Sequence, residues 1–255
     1  MMWILLGGAL LLPALIMANV MVMSVVYHRH LTHRSLDLNK WVARGLTVFF
    51  QGMGFAPPLT WVSSHLFHHA HTDSPEDPYS PKVHGFWPVL LLTPLLVTRW
   101  RKRQGPAAVV KFSRGVPDIK FYAFCDRTWF CLTMALTFAA GFFLLLGWPG
   151  LLLYALQFWG VYFVGGWINS VAHTFGERPH ENSAVNRRRR PIPFLLNLWM
   201  AGEWLHNHHH YLPGSANFGL AGEIDTGYLA CRVLAFLRLA SIRSAPSPFQ
   251  PAAGT

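Results

Sequence analysis

The strongest constraint on this chain is where charge is missing. Residues 1–27 contain no Asp, Glu, Lys or Arg, and neither do residues 129–173. About 20 apolar residues are enough to cross the roughly 30 Å hydrocarbon core of a bilayer. Residues 1–27 therefore read as one transmembrane helix, and residues 129–147 and 151–172 as two more. Gly147-Trp148-Pro149-Gly150 reads as a four-residue turn that folds the second and third spans into an antiparallel hairpin. A signal peptide is the competing reading of the first stretch. It is disfavoured because no basic segment precedes the apolar run, which leads straight into a histidine motif. Two weaker apolar stretches, 46–62 and 86–98, are broken by glycines and prolines or are too short, and are expected to dip into the membrane or lie on its face.

Composition supports this reading. Charged residues make up 13% of the chain and hydrophobic ones 52%, against about 25% charged in a soluble domain. The expected fold is an all-α integral membrane protein. It has about three transmembrane helices, re-entrant or interfacial helices, and a cytoplasmic helical cap. Residues 1–245 are expected to form one membrane domain and 246–255 a disordered tail.

The basic residues report orientation. All 21 Lys and Arg fall in residues 29–127 and 178–243. If only the three strong spans cross, every one lies on a single side, and the positive-inside rule makes that side the cytoplasm. The N-terminus is then outside. The net charge of +10 needs no nucleic-acid partner, and the chain carries neither a G-x-G-x-x-G nor a Walker loop. Its three cysteines include no C-x-x-C pair, so a thiolate zinc site is not supported.

The 14 histidines are clustered. His28 and His33 form H-x4-H. His65, His68 and His69 form H-x2-H-H, and His206, His209 and His210 repeat it. Asn169 and His173 stand one helical turn apart between them. Residues at i, i+3 and i+4 share one face of an α-helix, so each H-x2-H-H aims three imidazoles in one direction. H-x4-H fits no single face of a straight α-helix, since five residues turn about 500°; it is expected where the first span ends and the chain bends. All four clusters fall at the same membrane face. Nine imidazoles are too many for one ion, whereas two ions with four or five nitrogens each fit the count. Imidazole suits iron, zinc, copper and nickel alike, and the absence of carboxylates from the motifs shifts the balance towards redox iron. His30, His71, His84, His180 and His208 are read as ordinary residues. A proton path, a pH sensor or a non-enzymatic histidine-rich metal carrier are the alternatives.

At these residues the chain resembles the membrane fatty acid desaturases, in particular the acyl-CoA delta-9 type. The three boxes stand in that family's order. The flanking segments at 72–79, 169–176, 202–207 and 223–225 agree with it, so the likeness runs from about residue 20 to 243. The resemblance implies two iron ions held by His28, His33, His65, His68, His69, His173, His206, His209 and His210, with Asn169 holding a metal-bound water. It implies O2-dependent insertion of a cis double bond into a fatty acyl chain, carried by CoA, acyl carrier protein or lipid. Two electrons would come from a ferredoxin, a flavodoxin or a cytochrome b5-like protein. Hydroxylation, acetylenation or ketolation by the same centre is the related alternative. Carboxylates usually fix the free nitrogen of a ligating imidazole; Asp73, Glu76, Asp77 and Glu203 are the candidates by position. Arg187, Arg188, Arg189 and Arg190 are candidates for docking the head group or the donor, and Arg99, Arg101, Lys102 and Arg103 for anchoring to anionic lipid. The acyl chain is expected in an apolar tunnel walled by the first and third spans and by 46–62.

Overall fold

The structure, a computed structural model, describes residues 2–54, 56–181 and 194–243. The Arg187–Arg190 run and the tail from 246 lie outside the described residues. Helix α1 (Met2–Val22) continues directly into a π-helix, π1 (Met23–Thr32). A short strand β1 (Leu36–Leu38) leads to α2 (Lys40–Gly54), α3 (Pro58–Ala70), the single turn α4 (Pro81–His84) and the long α5 (Phe86–Phe112). Then come α6 (Ile119–Cys125), α7 (Thr128–Leu146), α8 (Trp148–Ala172), α9 (Phe194–Met200), α10 (His206–Tyr211), α11 (Thr226–Phe236) and β2 (Ala240–Ile242). Among the described residues the strands form one small antiparallel pair, in which Leu36 faces Ile242 and Leu38 faces Ala240; the other regular elements are helices.

Three helices are long and apolar enough to cross a membrane: Leu10–Thr32, Thr128–Leu146 and Trp148–Ala172. Helix α7 buries almost nothing within the protein. Leu132, Leu136, Leu144 and Leu145 are all exposed, as suits a helix facing lipid rather than water. The connection between α7 and α8 is tighter than the expected four-residue turn. Gly147 alone breaks the helix, at φ +66°, and Pro149 already sits in the first turn of α8. A positive φ costs glycine little, and proline lacks only a donor that a first turn leaves unpaired anyway.

The stretch 46–62 is not one of these three helices. It is two helices, broken around Pro57 and Pro58, and both ends of the pair return to the histidines. His33 lies just before α2, and His65 lies on α3, with their Nε2 atoms 3.2 Å apart. The break lies beside the middle of the spans, since there is no room for a side chain at Gly52 against Phe138 of α7. Its loose carbonyls are satisfied there by side chains, because no water is available in hydrocarbon. Tyr154 donates to the Gly52 carbonyl at 2.7 Å, Gln157 to Met53 at 2.7 Å, Tyr162 to Gly54 at 2.7 Å, and Tyr27 to Ala56 at 2.9 Å. The start of α3 is held by Asp126, which accepts from the Thr60 backbone N–H at 2.9 Å and its hydroxyl at 3.0 Å.

The stretch 86–98 belongs to a longer helix than its apolar run suggests. Helix α5 is bent at Leu92 and Gly105, just ahead of Pro94 and Pro106, where proline removes a helical hydrogen bond and restricts the residues before it. It packs on α8 at Gly166, which faces the carbonyls of Val89 and Leu90. Beyond the first bend it carries Arg99, Arg101, Lys102 and Arg103, all exposed.

Candidate metal centre

The structure brings all nine singled-out histidines together, in two groups whose nitrogens each lie within 4.8 Å of one another. One group holds His28, His33, His65, His69 and His209; the other holds His68, His173, His206 and His210. Each H-x2-H-H motif serves both groups, so its three imidazoles do not share one target as a common face suggests. On α3 the i and i+4 residues, His65 and His69, join the group of five, and the i+3 residue, His68, joins the group of four. On α10 the split is reversed: His206 and His210 join the group of four, and His209 joins the group of five. The two helices thus tie the two groups at a separation set by helical geometry.

The H-x4-H motif is reconciled with one face by a change of helix type rather than by a bend. In the π-helix the backbone bonds run i to i+5, and the His33 N–H donates to the His28 carbonyl at 3.0 Å. Residues five apart therefore lie over one another, with ring centres 4.9 Å apart.

The nitrogens are arranged for a cation. In the group of five, Nε2 atoms stand 2.9 Å apart for His28 and His209, 3.2 Å for His33 and His65, 3.1 Å for His65 and His69, and 3.1 Å for His69 and His209. At a metal–nitrogen distance of about 2.1 Å, ligands at right angles are about 3.0 Å apart and tetrahedral ones about 3.4 Å. The spacing matches the former. In the group of four, the Nε2 of His206 lies 3.2 Å from that of His173 and 3.1 Å from that of His210. The Nε2 of His68 is buried and has no hydrogen-bond partner, which fits a nitrogen reserved for a metal. Burial, reinforced by neighbouring imidazoles, holds His33, His65, His69, His206, His209 and His210 well below the usual imidazole range. They are neutral at pH 7, the form that offers a lone pair.

Three carboxylates sit behind these rings. Asp77 accepts from His68 Nδ1 at 2.9 Å, and its oxygens also take the backbone N–H groups of Asp73 and Tyr79. Glu203 Oε2 lies 2.7 Å from His28 Nδ1, and Asp73 Oδ1 lies 3.3 Å from His173 Nδ1. A carboxylate only accepts, so the hydrogen bond to Asp77 places the proton of His68 on Nδ1 and leaves its Nε2 free to ligate; Glu203 and Asp73 stand within ion-pair distance of the other two rings. Burial works against ionisation of Asp73, but hydrogen bonds from His173, Lys82 and Ser80 hold it below the usual carboxylate range. Burial likewise opposes ionisation of Glu203, and His28, Arg29 and Ser24 outweigh it. Glu76 departs from the expectation. It is exposed and accepts from the Ser74 hydroxyl at 2.9 Å, because the turn at 73–77 points Asp77 inward and Glu76 out.

Asn169 stands half-buried on α8, one turn before His173. The five histidines read as ordinary do not join either group among the described residues. His30 contacts the Leu36 carbonyl at 3.0 Å, His71 that of Phe67 at 3.0 Å, and His84 that of Asp77 at 2.9 Å; His180 and His208 contact each other at 2.9 Å. Several neighbours of the centre went unnoticed in the sequence. Trp61 stacks on His65 at 4.9 Å, and Phe218 packs on His28 at 5.1 Å and His209 at 4.3 Å. Arg29 is buried completely, although only the charge of such a residue is visible in a sequence. Its position inside the first box, at the end of an apolar span, was the available signal.

Known proteins agree with the geometry. The sequence model of the family described as fatty acid desaturase matches residues 2–220. The chain is 34% identical to Delta-9 acyl-lipid desaturase 1 of Arabidopsis thaliana, over 89% of this chain and 72% of that protein. It is 30% identical to Acyl-CoA C20 Delta5-desaturase of Anemone leveillei, over 87% of this chain and 68% of that protein. It is 29% identical to sn-1 stearoyl-lipid 9-desaturase of Synechocystis sp., over 84% of this chain and 64% of that protein. With two histidine groups fit for a pair of metal ions beside three helices long enough to span a membrane, the chain belongs to the membrane fatty acid desaturase family.

Proposed function

We propose that this protein is a di-iron fatty acyl desaturase that introduces a cis double bond, at the delta-9 position, into a membrane-delivered acyl chain. The observation that carries the reading is the five-plus-four grouping of histidines, three of them backed by carboxylates. An unactivated methylene offers no proton that a side-chain base could remove. When bound, the two iron ions supply the O2-dependent oxidation, with the protein providing placement and exclusion of water. In balance, one –CH2–CH2– unit, one O2, two electrons and two protons become one –CH=CH– unit and two waters.

The residues of the chain have distinct tasks in this proposal. His28, His33, His65, His69 and His209 hold one ion, and His68, His173, His206 and His210 the other. Asp77, Glu203 and Asp73 keep the protons of His68, His28 and His173 on Nδ1. Asn169 holds a water at the group of four, the poorer of the two in nitrogen. Trp61, packed between His65 and Tyr27, and Phe218 over His28 and His209 keep water from the centre. The acyl chain approaches along the apolar side bounded by α1, α8 and the α2–α3 pair. The centre faces the cytoplasm with the N-terminus outside, as the one-sided Lys and Arg distribution supports. An acidic electron donor docks on that basic face, where Arg187–Arg190 is the first patch to test by charge reversal.

The deciding experiment is expression in a host without the activity, followed by fatty-acid methyl ester analysis of its lipids. A new species two hydrogens lighter than its precursor is expected, and His69→Ala or His209→Ala should abolish it. A product one oxygen heavier would instead mark a hydroxylase. Full activity in either alanine variant would refute the ligand assignment.

A further inference from the structure

Arg29 lies between two histidines of the first box, and no task in the proposed reaction uses it. Its side chain is fully buried. Nη2 donates to both oxygens of Asp225 at 3.1 and 2.9 Å, and Nε donates to the Ala216 carbonyl at 2.8 Å. Nη1 meets the Ser24 hydroxyl and lies 3.4 Å from Glu203 Oε1, while Ser24 in turn donates to the same Glu203 oxygen. The guanidinium lies 3.7 Å above the Phe218 ring. Two short paths therefore lead from Arg29 to ligands of the group of five. One runs through Glu203 to His28 Nδ1, and the other through Phe218, whose backbone N–H is held by Asp225 at 2.7 Å, to His209. Among the described residues, its hydrogen-bond partners are Ser24, Glu203, Ala216 and Asp225, and none of these bonds to His68, His173, His206 or His210.

The surroundings are shaped for this group. Gly202, at φ +78°, faces Asp225 so closely that a side chain there would collide with its carboxylate. A Cβ at Gly227 would lie 2.8 Å from Arg29 Nη1 and would also press on the Ala201 carbonyl. Glycines on two separate segments thus leave space for one ion pair. A planar fork with fixed donors suits that pair, whereas a lysine would make a single point contact.

We infer that Arg29 is a positioning residue for one metal ion only: it fixes Glu203, Asp225 and Phe218 so that His28 and His209 present their nitrogens to the group of five. This rests on the two-ion reading proposed above. The start of α11, distant in sequence from the first box, thereby becomes part of the support of that one site.

Metal-free protein titrated with Co2+ tests it, since the visible spectrum distinguishes the five-nitrogen site from the four-nitrogen one. Wild type should take up two ions in two resolvable steps; uptake of fewer than two would refute the two-ion reading itself. Arg29→Lys should weaken the five-nitrogen step by about tenfold, the low end for losing support behind a ligand, and leave the other step unchanged. Asp73→Asn should do the reverse. Asp225→Asn weakens the ion pair that orients the guanidinium without adding bulk and should reproduce Arg29→Lys; it decides the matter if the lysine variant does not fold. Two ions bound in wild type, with both steps unchanged or equally weakened in both variants, would overturn the role of Arg29 and leave the two-ion reading standing.

Discussion

The two histidine groups use the same side chain but are anchored by different parts of the protein. The group of four leans on a local loop: Asp73 and Asp77 follow directly after α3, and Asp73 is held by Ser80 at 2.6 Å and by the half-exposed Lys82 at 2.7 Å. The group of five leans on contacts between distant segments. Glu203 meets His28 from the far end of the chain, and Arg29 ties both to Asp225 at the start of α11. A local loop near the surface can be replaced or adjusted without disturbing the rest. A buried ion network depends on every partner, because removing one leaves an uncompensated charge in a low-dielectric interior. Both groups draw their histidines from several elements, but the carboxylates behind one come from a single loop and those behind the other are joined through the tertiary fold.

The harshest way to break this comparison is to remove a pair of ligands from each side. His65→Ala with His69→Ala should leave one ion in the group of four, and His206→Ala with His210→Ala should leave one in the group of five. Neither protein should form double bonds. Elemental analysis of the purified variants beside product analysis checks both halves, and loss of both ions from either would show the groups are not separable.

A smaller change sharpens it. Glu203→Gln and Asp77→Asn each replace a carboxylate behind one imidazole, so each should cost about 10–100-fold in affinity for a different ion. Their stability effects should differ as well. Glu203→Gln disturbs the buried Arg29 network, for which breaking one partner costs about 3–5 kcal/mol; Asp77→Asn keeps its acceptor for the loop. Thermal unfolding of the two metal-free proteins compares them.

Below these come effects away from the metals. Tyr154→Phe or Tyr162→Phe removes a donor from a carbonyl at the α2–α3 break, at about 1–3 kcal/mol each, measured as a lower unfolding temperature. The smallest effect is expected at the outer edge of the group of four. Lys82→Met removes a partly solvated partner of Asp73, so about 0–1 kcal/mol should be lost. A larger loss would mean the local loop is less independent than its geometry indicates.

Much of this was legible before any coordinates. The spans follow from charge-free length, and the histidines stand out because they are clustered and two of the clusters repeat one helical spacing. Other features were not. Gly147 closes the α7–α8 hairpin alone, since its left-handed backbone lets α8 begin at once. The first box looked as if it needed a bend, because an α-helical period was assumed where the chain is a π-helix. Glu76 and Asp77 are neighbours in sequence, yet a turn sends one to solvent and the other to His68. Arg29 read as an ordinary basic residue, since burial leaves no trace in a charge count.

Sequence alone pointed to an apolar solvent for this protein and to the histidines that the fold gathers into two groups. Hydrophobic length and imidazole spacing are local properties, and local physics acts on them wherever the chain goes. Only the tertiary structure decided how the histidines divide five and four, with α3 and α10 contributing in opposite senses. Only it joined His28 to Glu203 and Arg29 to Asp225. Those contacts link residues far apart in the chain, and such pairs are chosen by packing and by the cost of leaving a buried charge or carbonyl unpaired, not by anything one segment carries in itself.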